Sequence, residues 1–165
     1  EKLGSHRPAG RLRGGKYSNF DGGTRVPFIA RWPGQIRKDT RSDALVSQVD
    51  FLATMAALTG QQVPANAGRD GVNVLPALLG KSKTARRSLV EHAGVLSLVE
   101  GNWKLIEGGK GPKVNPNTNT ELGNDAAPQL YDIGLDPGET TNRAAEYPDV
   151  VEKMLAELKR IRAGA

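Results

Sequence analysis

The chain has 165 residues, a formal net charge of +5 and 38% hydrophobic residues, so a packed core is feasible in one compact domain or two small joined ones. It contains no cysteine, which excludes disulfides, thiolate metal sites and a cysteine nucleophile within these residues. No run of about 18 apolar residues occurs, so no membrane span is predicted.

The first half of the sequence predicts a loop, a strand, a turn and a helix. Residues 1–24 are rich in glycine and basic side chains and lack periodicity, which is typical of a loop. Residues 26–32 form a short apolar run before Pro33-Gly34, and this pattern predicts a buried strand that ends at a turn. Apolar residues recur near helical spacing over residues 47–58, and Gly60 is typical of a helix C-terminus.

The second half predicts a small antiparallel sheet with one helix laid on it. A short apolar turn or helix at residues 74–79 and a basic linker at 81–87 precede it. Apolar runs then predict three segments of sheet, which are a strand at 89–92, a hairpin with arms at 95–99 and 103–106, and a strand at 130–133. Residues 108–128 are typical of a long Gly/Pro/Asn loop. Pro148 suits the first turn of a final helix, whose apolar stripe runs to Ile161.

The basic loop near the start of the chain has the composition of an anion site. Residues 10–17 nearly match a phosphate-binding P-loop, but Tyr17 replaces the Ser or Thr that would hold magnesium and no apolar strand precedes the loop. Gly14 and Gly15 let the backbone approach a ligand closely. Lys16 and Arg13 add positive charge, so the loop could hold a sulfate or phosphate ester and offset charge on its oxygens. The alternative is a solvated basic surface.

Three acidic residues and two histidines are weaker candidates. Asp132, Asp136 and Glu139 could suggest a metal site, but Asp136-Pro137-Gly138-Glu139 is better explained as a turn, and its spacing does not fit a calcium loop. His92 lies at the end of a predicted strand, a position that favours a structural role. His6 lies in a Gly/Pro loop beside the basic residues, where a solvated loop histidine and a functional one are both open.

Several short motifs follow one another in a single order along almost the whole chain. The first are Leu-Arg-Gly-Gly-Lys at 12–16, Asp-Gly-Gly-Thr-Arg-Val-Pro-Phe-Ile at 21–29 and Arg-Trp-Pro-Gly at 31–34. The later ones are Asp-Ala-Leu-Val-Ser-Gln-Val-Asp at 43–50, Ala-Leu-Thr-Gly at 57–60, Asp-Gly-Val at 70–72, Gly-Asn-Trp-Lys-Leu-Ile at 101–106, Leu-Tyr-Asp at 130–132 and Asp-Pro-Gly-Glu at 136–139. In this order they resemble the C-terminal portion of the formylglycine-dependent (type I) sulfatases of the arylsulfatase-A-like family.

The resemblance implies an α/β fold. We expect residues 1–80 to form the C-terminal end, or edge, of an alkaline-phosphatase-like sulfatase core. We expect residues 81–165 to form a C-terminal subdomain in which a small antiparallel β-sheet packs with the terminal helix. Because the chain begins at Glu1 without a methionine or an apolar signal segment, we expect the N-terminal half of the core upstream. The family also implies a periplasmic or secreted location.

The resemblance also implies hydrolysis of a sulfate ester, with a sulfated carbohydrate as the expected substrate. The family converts a Cys or Ser in a Cys/Ser-x-Pro-x-Arg motif to formylglycine and holds Ca²⁺ with Asp and Asn side chains. Neither that motif nor the Asp-Asn pair that usually lies upstream of the Gly-Gly-Lys loop occurs here. We therefore expect the modified residue and the calcium ligands outside this segment, which alone should be inactive.

Three residues are assigned to the substrate, Lys16 and His6 by the resemblance and Arg13 by the charge that it adds to the basic loop. Lys16 matches the family lysine that contacts the sulfate oxygens, and Arg13 lies in the same loop. His6 matches a Gly-x-His-x-Pro-Ala-Gly stretch of some bacterial relatives, which suggests contact with a sugar. Arg11 departs from the pattern, because many relatives have Pro there, and this should loosen the entry to the loop.

Other functions remain open at this point. A phosphatase or phosphonate hydrolase of the same superfamily is one, and a non-catalytic remnant that serves only as a structural piece is another. A basic anion-binding module for a polymer such as nucleic acid is the third. Against it, the aromatic content is only 5%, and no aromatic residues interleave with the basic cluster for base stacking. We therefore expect no nucleic-acid partner.

Overall fold

The computed structural model describes residues 6–164. They divide into two compact units. One joins the described residues up to Val26 with those from Val90 onward, and the other is Pro27–Leu89. The first unit thus pairs the basic loop of the N-terminal segment with the later sheet. The predicted domain division between residues 80 and 81 concerns the parent fold and stays a prediction.

Eleven short elements follow one another along the described chain. In order they are α1 (Asp21–Thr24), a 3-10 turn (Gln48–Asp50), α2 (Phe51–Thr59), α3 (Leu75–Leu78), β1 (Ser88–His92), β2 (Leu96–Glu100), β3 (Trp103–Ile106), β4 (Val114–Asn115), β5 (Thr120–Glu121), β6 (Gln129–Asp132) and α4 (Pro148–Arg162).

Four of the strands form one sheet in the order β1-β2-β3-β6. Strands β2 and β3 are antiparallel, and Leu98 lies opposite Leu105. Strand β6 is antiparallel to β3 and places Leu130 on the other side of Leu105. The hairpin between β2 and β3 was predicted and is confirmed, because Gly101 takes the positive φ of 60° that its tight turn requires.

The sheet has a different core on each face. Leu98, Leu105 and Leu130 are buried on one face and pack against Met154 and Leu158 of α4, so the predicted amphipathic helix is confirmed. Side chains alternate between the faces of a strand. On the opposite face a second cluster joins Ile106 and Tyr131 to Phe20 of the N-terminal segment. This second face positions the basic loop.

Unit Pro27–Leu89 carries the predicted helix. Ser47 and Asp50 form a capping box at the 3-10 turn that leads into α2. Gly60 ends α2 with a left-handed φ of 69°. The predicted helix and its glycine stop are both confirmed. No helix within residues 6–164 is long and apolar enough to cross a bilayer.

Two local predictions are wrong. Residues 26–32 do not form a strand, and Ile29 is 91% and Trp32 42% exposed. A strand needs a neighbour for its backbone hydrogen bonds, and none of the strands described in residues 6–164 pairs with this run. The predicted loop at 108–128 contains the β4–β5 ladder, in which Val114 pairs with Glu121.

Candidate functional site

Residues 13–20 form a short loop, here called the Lys16 loop, in which two exposed residues are followed by three buried ones. Lys16 and Tyr17 are exposed, whereas Ser18, Asn19 and Phe20 are buried. The ammonium nitrogen of Lys16 lies 5.0 Å from the centroid of the Tyr17 ring, within the range of a cation–π contact. The lysine is therefore available to a ligand, while the residues that follow it are fixed by the fold.

The backbone of the Lys16 loop is held in unusual conformations at two positions. Gly14 has a φ of 76°, and a Cβ atom there would collide with the side chain of Ser18. Tyr17 has a φ of 75° although it is not a glycine. A positive φ is ordinary for glycine, but at a residue with a Cβ atom such as Tyr17 it is uncommon, and such positions cluster at functional sites, where the surrounding structure enforces them.

The end of the Lys16 loop is anchored to the segment after β5. The backbone N–H of Asn19 donates to the carbonyl oxygen of Leu122 at 2.9 Å. The side-chain Nδ2 of Asn19 donates to the same oxygen at 3.1 Å and to Oδ1 of Asn124 at 3.3 Å. Because Asn19 is buried, these bonds tie the loop to the first unit.

The start of the Lys16 loop is anchored by Arg13. Its Nε and Nη2 donate to the two carboxylate oxygens of Glu121 at 2.8 Å each. Its Nη1 donates to the carbonyl oxygen of Glu139 at 2.7 Å, and its guanidinium lies 4.1 Å from the Phe20 ring centroid. The hydrogen bond to Glu121 is the largest cause that raises the pKa of Arg13, against a lowering by burial. The predicted substrate contact of Arg13 stays a prediction, and the bonds in place hold the loop.

A buried charge cluster lies behind the loop, on the second face of the sheet. The Nζ atom of Lys104 is 2.7 Å from Oδ1 of Asp21, 3.1 Å from Oε2 of Glu91 and 3.6 Å from Oε1 of Glu139. Lys104 is 0% exposed. Burial acts to lower its pKa, but the three carboxylates outweigh that effect and raise it. The lysine thus stays charged and holds together three distant segments.

Glu139 is the acid of this cluster that reaches the loop. It is 0% exposed, and its Oε2 accepts a hydrogen bond from the backbone N–H of Asp21 at 2.6 Å. Burial raises the pKa of Glu139 to about 7, although Lys104 opposes the shift. The turn predicted at residues 136–139 is supported, since Asp136 Oδ2 accepts from the backbone N–H of Thr140 at 2.7 Å.

The roles of Glu139 and Lys104 were missed by the sequence analysis. The signal available for Lys104 was its position between Trp103 and Leu105. Strand alternation there turns both neighbours to one face and the lysine to the other, toward the second core. No comparable local signal marked Glu139, because its contact with Asp21 spans 118 residues.

His6 lies on an exposed stretch before the loop. Two turns follow it, closed by hydrogen bonds from Gly10 N–H to the Arg7 oxygen at 3.0 Å and from Leu12 N–H to the Ala9 oxygen at 3.1 Å. Its substrate role stays a prediction.

The described residues do not provide a calcium site. Within residues 6–164, no group of three or more His, Cys, Asp or Glu side chains is placed to hold a metal ion. The carboxylates of Asp21, Glu91 and Glu139 converge on the ammonium of Lys104 instead. The donor set therefore does not fit the ion that the family resemblance implies.

Comparisons with known proteins give one answer. A family model described as Sulfatase matches residues 3–61. An N-acetylgalactosamine-6-O-sulfatase of Bacteroides thetaiotaomicron is 43% identical over 164 residues, which are 98% of this chain and 32% of the relative. Arylsulfatase A of Homo sapiens is 33% identical over 167 residues, with coverage of 93% of this chain and 32% of the relative.

Solved structures agree with these relatives. A structure described under the metabolism of multiple glycosaminoglycans by Bacteroides thetaiotaomicron has a TM-score of 0.91 and 42% identity, and the match covers 98% of this chain and 34% of that one. A sulfatase from Pseudoalteromonas sp. has a TM-score of 0.74 at 24% identity, covering 92% of this chain and 32% of that one, which supports the fold alone. The chain spans about a third of the length of the curated relatives it matches.

Proposed function

The chain belongs to the sulfatase family, in its C-terminal portion, and from that premise we propose that it forms part of a sulfuric ester hydrolase for sulfated carbohydrates. The related N-acetylgalactosamine-6-O-sulfatase, 43% identical over 98% of this chain, supports this substrate class. The family's usual place of action leads us to propose a periplasmic or secreted protein.

The observation that carries the proposal is the exposed Lys16 on a rigidly anchored loop. An ammonium group carried on an anchored loop can meet the oxygens of a sulfate ester without rearrangement of the backbone, and it offsets negative charge that moves onto those oxygens during transfer. Lys16 is thus the proposed sulfate contact, with His6 and Arg13 as proposed substrate contacts beside it.

The rest of the catalytic apparatus is proposed to lie in an upstream part of the protein. Formylglycine would supply the attacking group and Ca²⁺ would polarise the sulfate, and both belong outside the residues described. The unit Pro27–Leu89 supports this view, because it exposes many large apolar side chains. Exposed apolar patches usually mark a surface that another part of a protein covers. The exposed side chains are Phe28, Ile29, Trp32, Val49, Leu52, Met55, Leu58 and Val72. We propose that the upstream half of the core covers them.

The direct test of the proposed function is sulfate release. The intact protein, with its upstream half, would be assayed on N-acetylgalactosamine 6-sulfate, on an aryl sulfate and on the matching aryl phosphate. The expected result is turnover of both sulfates, a marked preference over the phosphate, and no turnover by residues 1–165 alone. Preference for the phosphate would favour the related phosphatase, and binding without turnover of any ester would favour the anion-binding module.

A further inference from the structure

Glu139 contacts the first residue of the Lys16 loop and the residue that directly follows the loop. At the start, its main-chain oxygen accepts a hydrogen bond from Nη1 of Arg13 at 2.7 Å. Beyond the end, its side-chain Oε2 accepts the backbone N–H of Asp21 at 2.6 Å. One residue, 118 positions along the chain from Asp21, therefore fixes the span between the two ends of a nine-residue stretch that carries Lys16.

The charge and backbone of Glu139 are not those of an ordinary core residue. It is buried at a positive φ of 50°, which is uncommon for a residue with a Cβ atom. Its second oxygen, Oε1, makes no hydrogen bond within the described residues and faces Lys104 Nζ at 3.6 Å. A buried carboxylate oxygen that accepts no hydrogen bond costs stability. The local geometry of Glu139 is therefore not the one that stability alone would favour.

Contacts around Glu139 connect it to α1 and, through α1, to the Lys16 loop. Lys104 bonds Asp21 at 2.7 Å and Thr24 at 3.3 Å, so it holds α1 from below. Gly22 at the start of α1 donates its N–H to the Arg13 oxygen at 2.8 Å, which closes the loop on itself. Glu139, Lys104 and α1 therefore support the loop that carries Lys16.

We propose that Glu139 is a positioning residue, which holds the Lys16 loop in the conformation that brings Lys16 to the sulfate of the substrate. The proposal rests on the proposed function of Lys16. Glu139 itself does not touch the substrate in this account. Its hydrogen-bond acceptors, rather than its charge, fix the loop.

The test is a double-mutant cycle in the intact sulfatase, with kcat and KM measured on an aryl sulfate well below the unfolding temperature. We expect Glu139→Ala to lower kcat/KM by about tenfold or more, because the side-chain acceptor for Asp21 is lost. Glu139→Gln keeps an acceptor oxygen and should stay within about threefold of wild type. Glu146→Gln is the matched control, since Glu146 is exposed and paired with Arg143 at 2.8 Å.

The decisive comparison uses a background without the lysine. If Glu139 acts through Lys16, adding Glu139→Ala to Lys16→Ala should lower kcat/KM by less than about twofold more, because the positioned group is already gone. Equal losses from Glu139→Ala in both backgrounds would overturn the proposal and leave Glu139 a structural residue. If Glu139→Ala does not fold, a loss above tenfold in a folded Glu139→Gln variant would overturn it equally. An inactive wild type on every sulfate ester would instead reject the proposed function.

Discussion

Lys104 and Asp21 form a buried ion pair, with Nζ of the lysine 2.7 Å from Oδ1 of the aspartate. The two residues are 83 positions apart, and each lies in one of the short motifs that the sequence shares with sulfatases. Glu139 joins the same cluster from a third motif. Three of these motifs therefore meet in space, where they form one buried charge cluster that supports the Lys16 loop.

The first prediction concerns the contribution of this buried charge cluster to the stability of the protein. Lys104→Met nearly keeps the length of the side chain but leaves Glu139 buried without its cation, and it leaves Asp21 with only the exposed Arg25 at 3.6 Å. We expect the free energy of unfolding of the intact protein to fall by about 3–5 kcal/mol, the usual cost of breaking a buried pair by removing one partner. Chemical denaturation measures the change.

The control for that prediction is another paired lysine. Lys113 is 2.6 Å from Asp125, but its side chain is 73% exposed, so water replaces the lost interaction. Lys113→Met should leave the denaturation midpoint unchanged within error. Similar losses for the two variants would show that the burial of the Lys104 cluster has no energetic consequence.

The second prediction is a pH dependence centred on Glu139. Burial raises its pKa to about 7 from an unfolded value of 4.5. The folded state therefore binds more protons between these values, and this stabilising contribution is present at low pH and lost as pH rises through about 7. Lys104, Asp21, Glu91, Arg13 and Tyr131 are the charged and titratable groups that face it.

Relative to Glu139→Gln, the wild type should lose on the order of 2 kcal/mol of stability between pH 5 and pH 8. Unfolding midpoints of both proteins across this range measure the difference. Parallel curves would mean that Glu139 titrates outside the range. Glu146→Gln should give the slope of the wild type, because Glu146 is exposed.

The third prediction separates two roles for Arg13. If the arginine anchors the loop, then Arg13→Ala should lower kcat/KM at least as much as Glu121→Ala, because it also loses the bond to the Glu139 oxygen. Both losses should stay below about tenfold, and the double variant should resemble Arg13→Ala. The pair is partly exposed, with 29% and 51% of the two side chains accessible, so the effect on stability should be about 1 kcal/mol or less. A kinetic loss well above about tenfold for Arg13→Ala, with Glu121→Ala still below about tenfold, would support the substrate contact predicted from the sequence.

The fourth prediction concerns His6, which lies on the exposed stretch before the Lys16 loop. Contact with a sugar would matter for a carbohydrate substrate and contribute little to an aryl sulfate. We expect His6→Ala to lower kcat/KM for the sulfated carbohydrate by about tenfold, or roughly 1.4 kcal/mol, with a change of only a few fold on the aryl sulfate. Equal, large losses would place His6 in the chemical step, and no loss would leave it a solvated histidine.

The elements that the sequence predicted correctly depend on local signals. Gly101 marks the β2–β3 hairpin, Gly60 ends α2, and the apolar stripe with Met154 and Leu158 defines α4. Each signal lies within a few residues of the element that it specifies, so a pattern in the chain is enough to reveal it.

The failures depend on partners that a local pattern does not show. Residues 26–32 have the composition of a strand, but a strand forms only beside another strand. Glu139 resembles any turn acid until its contact with Asp21 across 118 residues is seen. The family resemblance identified Lys16, whereas it did not identify the buried cluster of Lys104, Asp21 and Glu139 that supports the loop.

Lys16 is the proposed sulfate contact, and steady-state kinetics of the intact protein on an aryl sulfate test this role directly. Lys16→Ala should lower kcat by about a hundredfold or more, which corresponds to on the order of 3 kcal/mol of lost transition-state stabilisation. Lys16→Arg should recover only part of it, since a planar guanidinium does not replace a compact ammonium. Lys153→Ala, at an exposed lysine of α4, should be unaffected. A folded Lys16→Ala variant with near-wild-type kcat/KM would contradict the proposed role of Lys16.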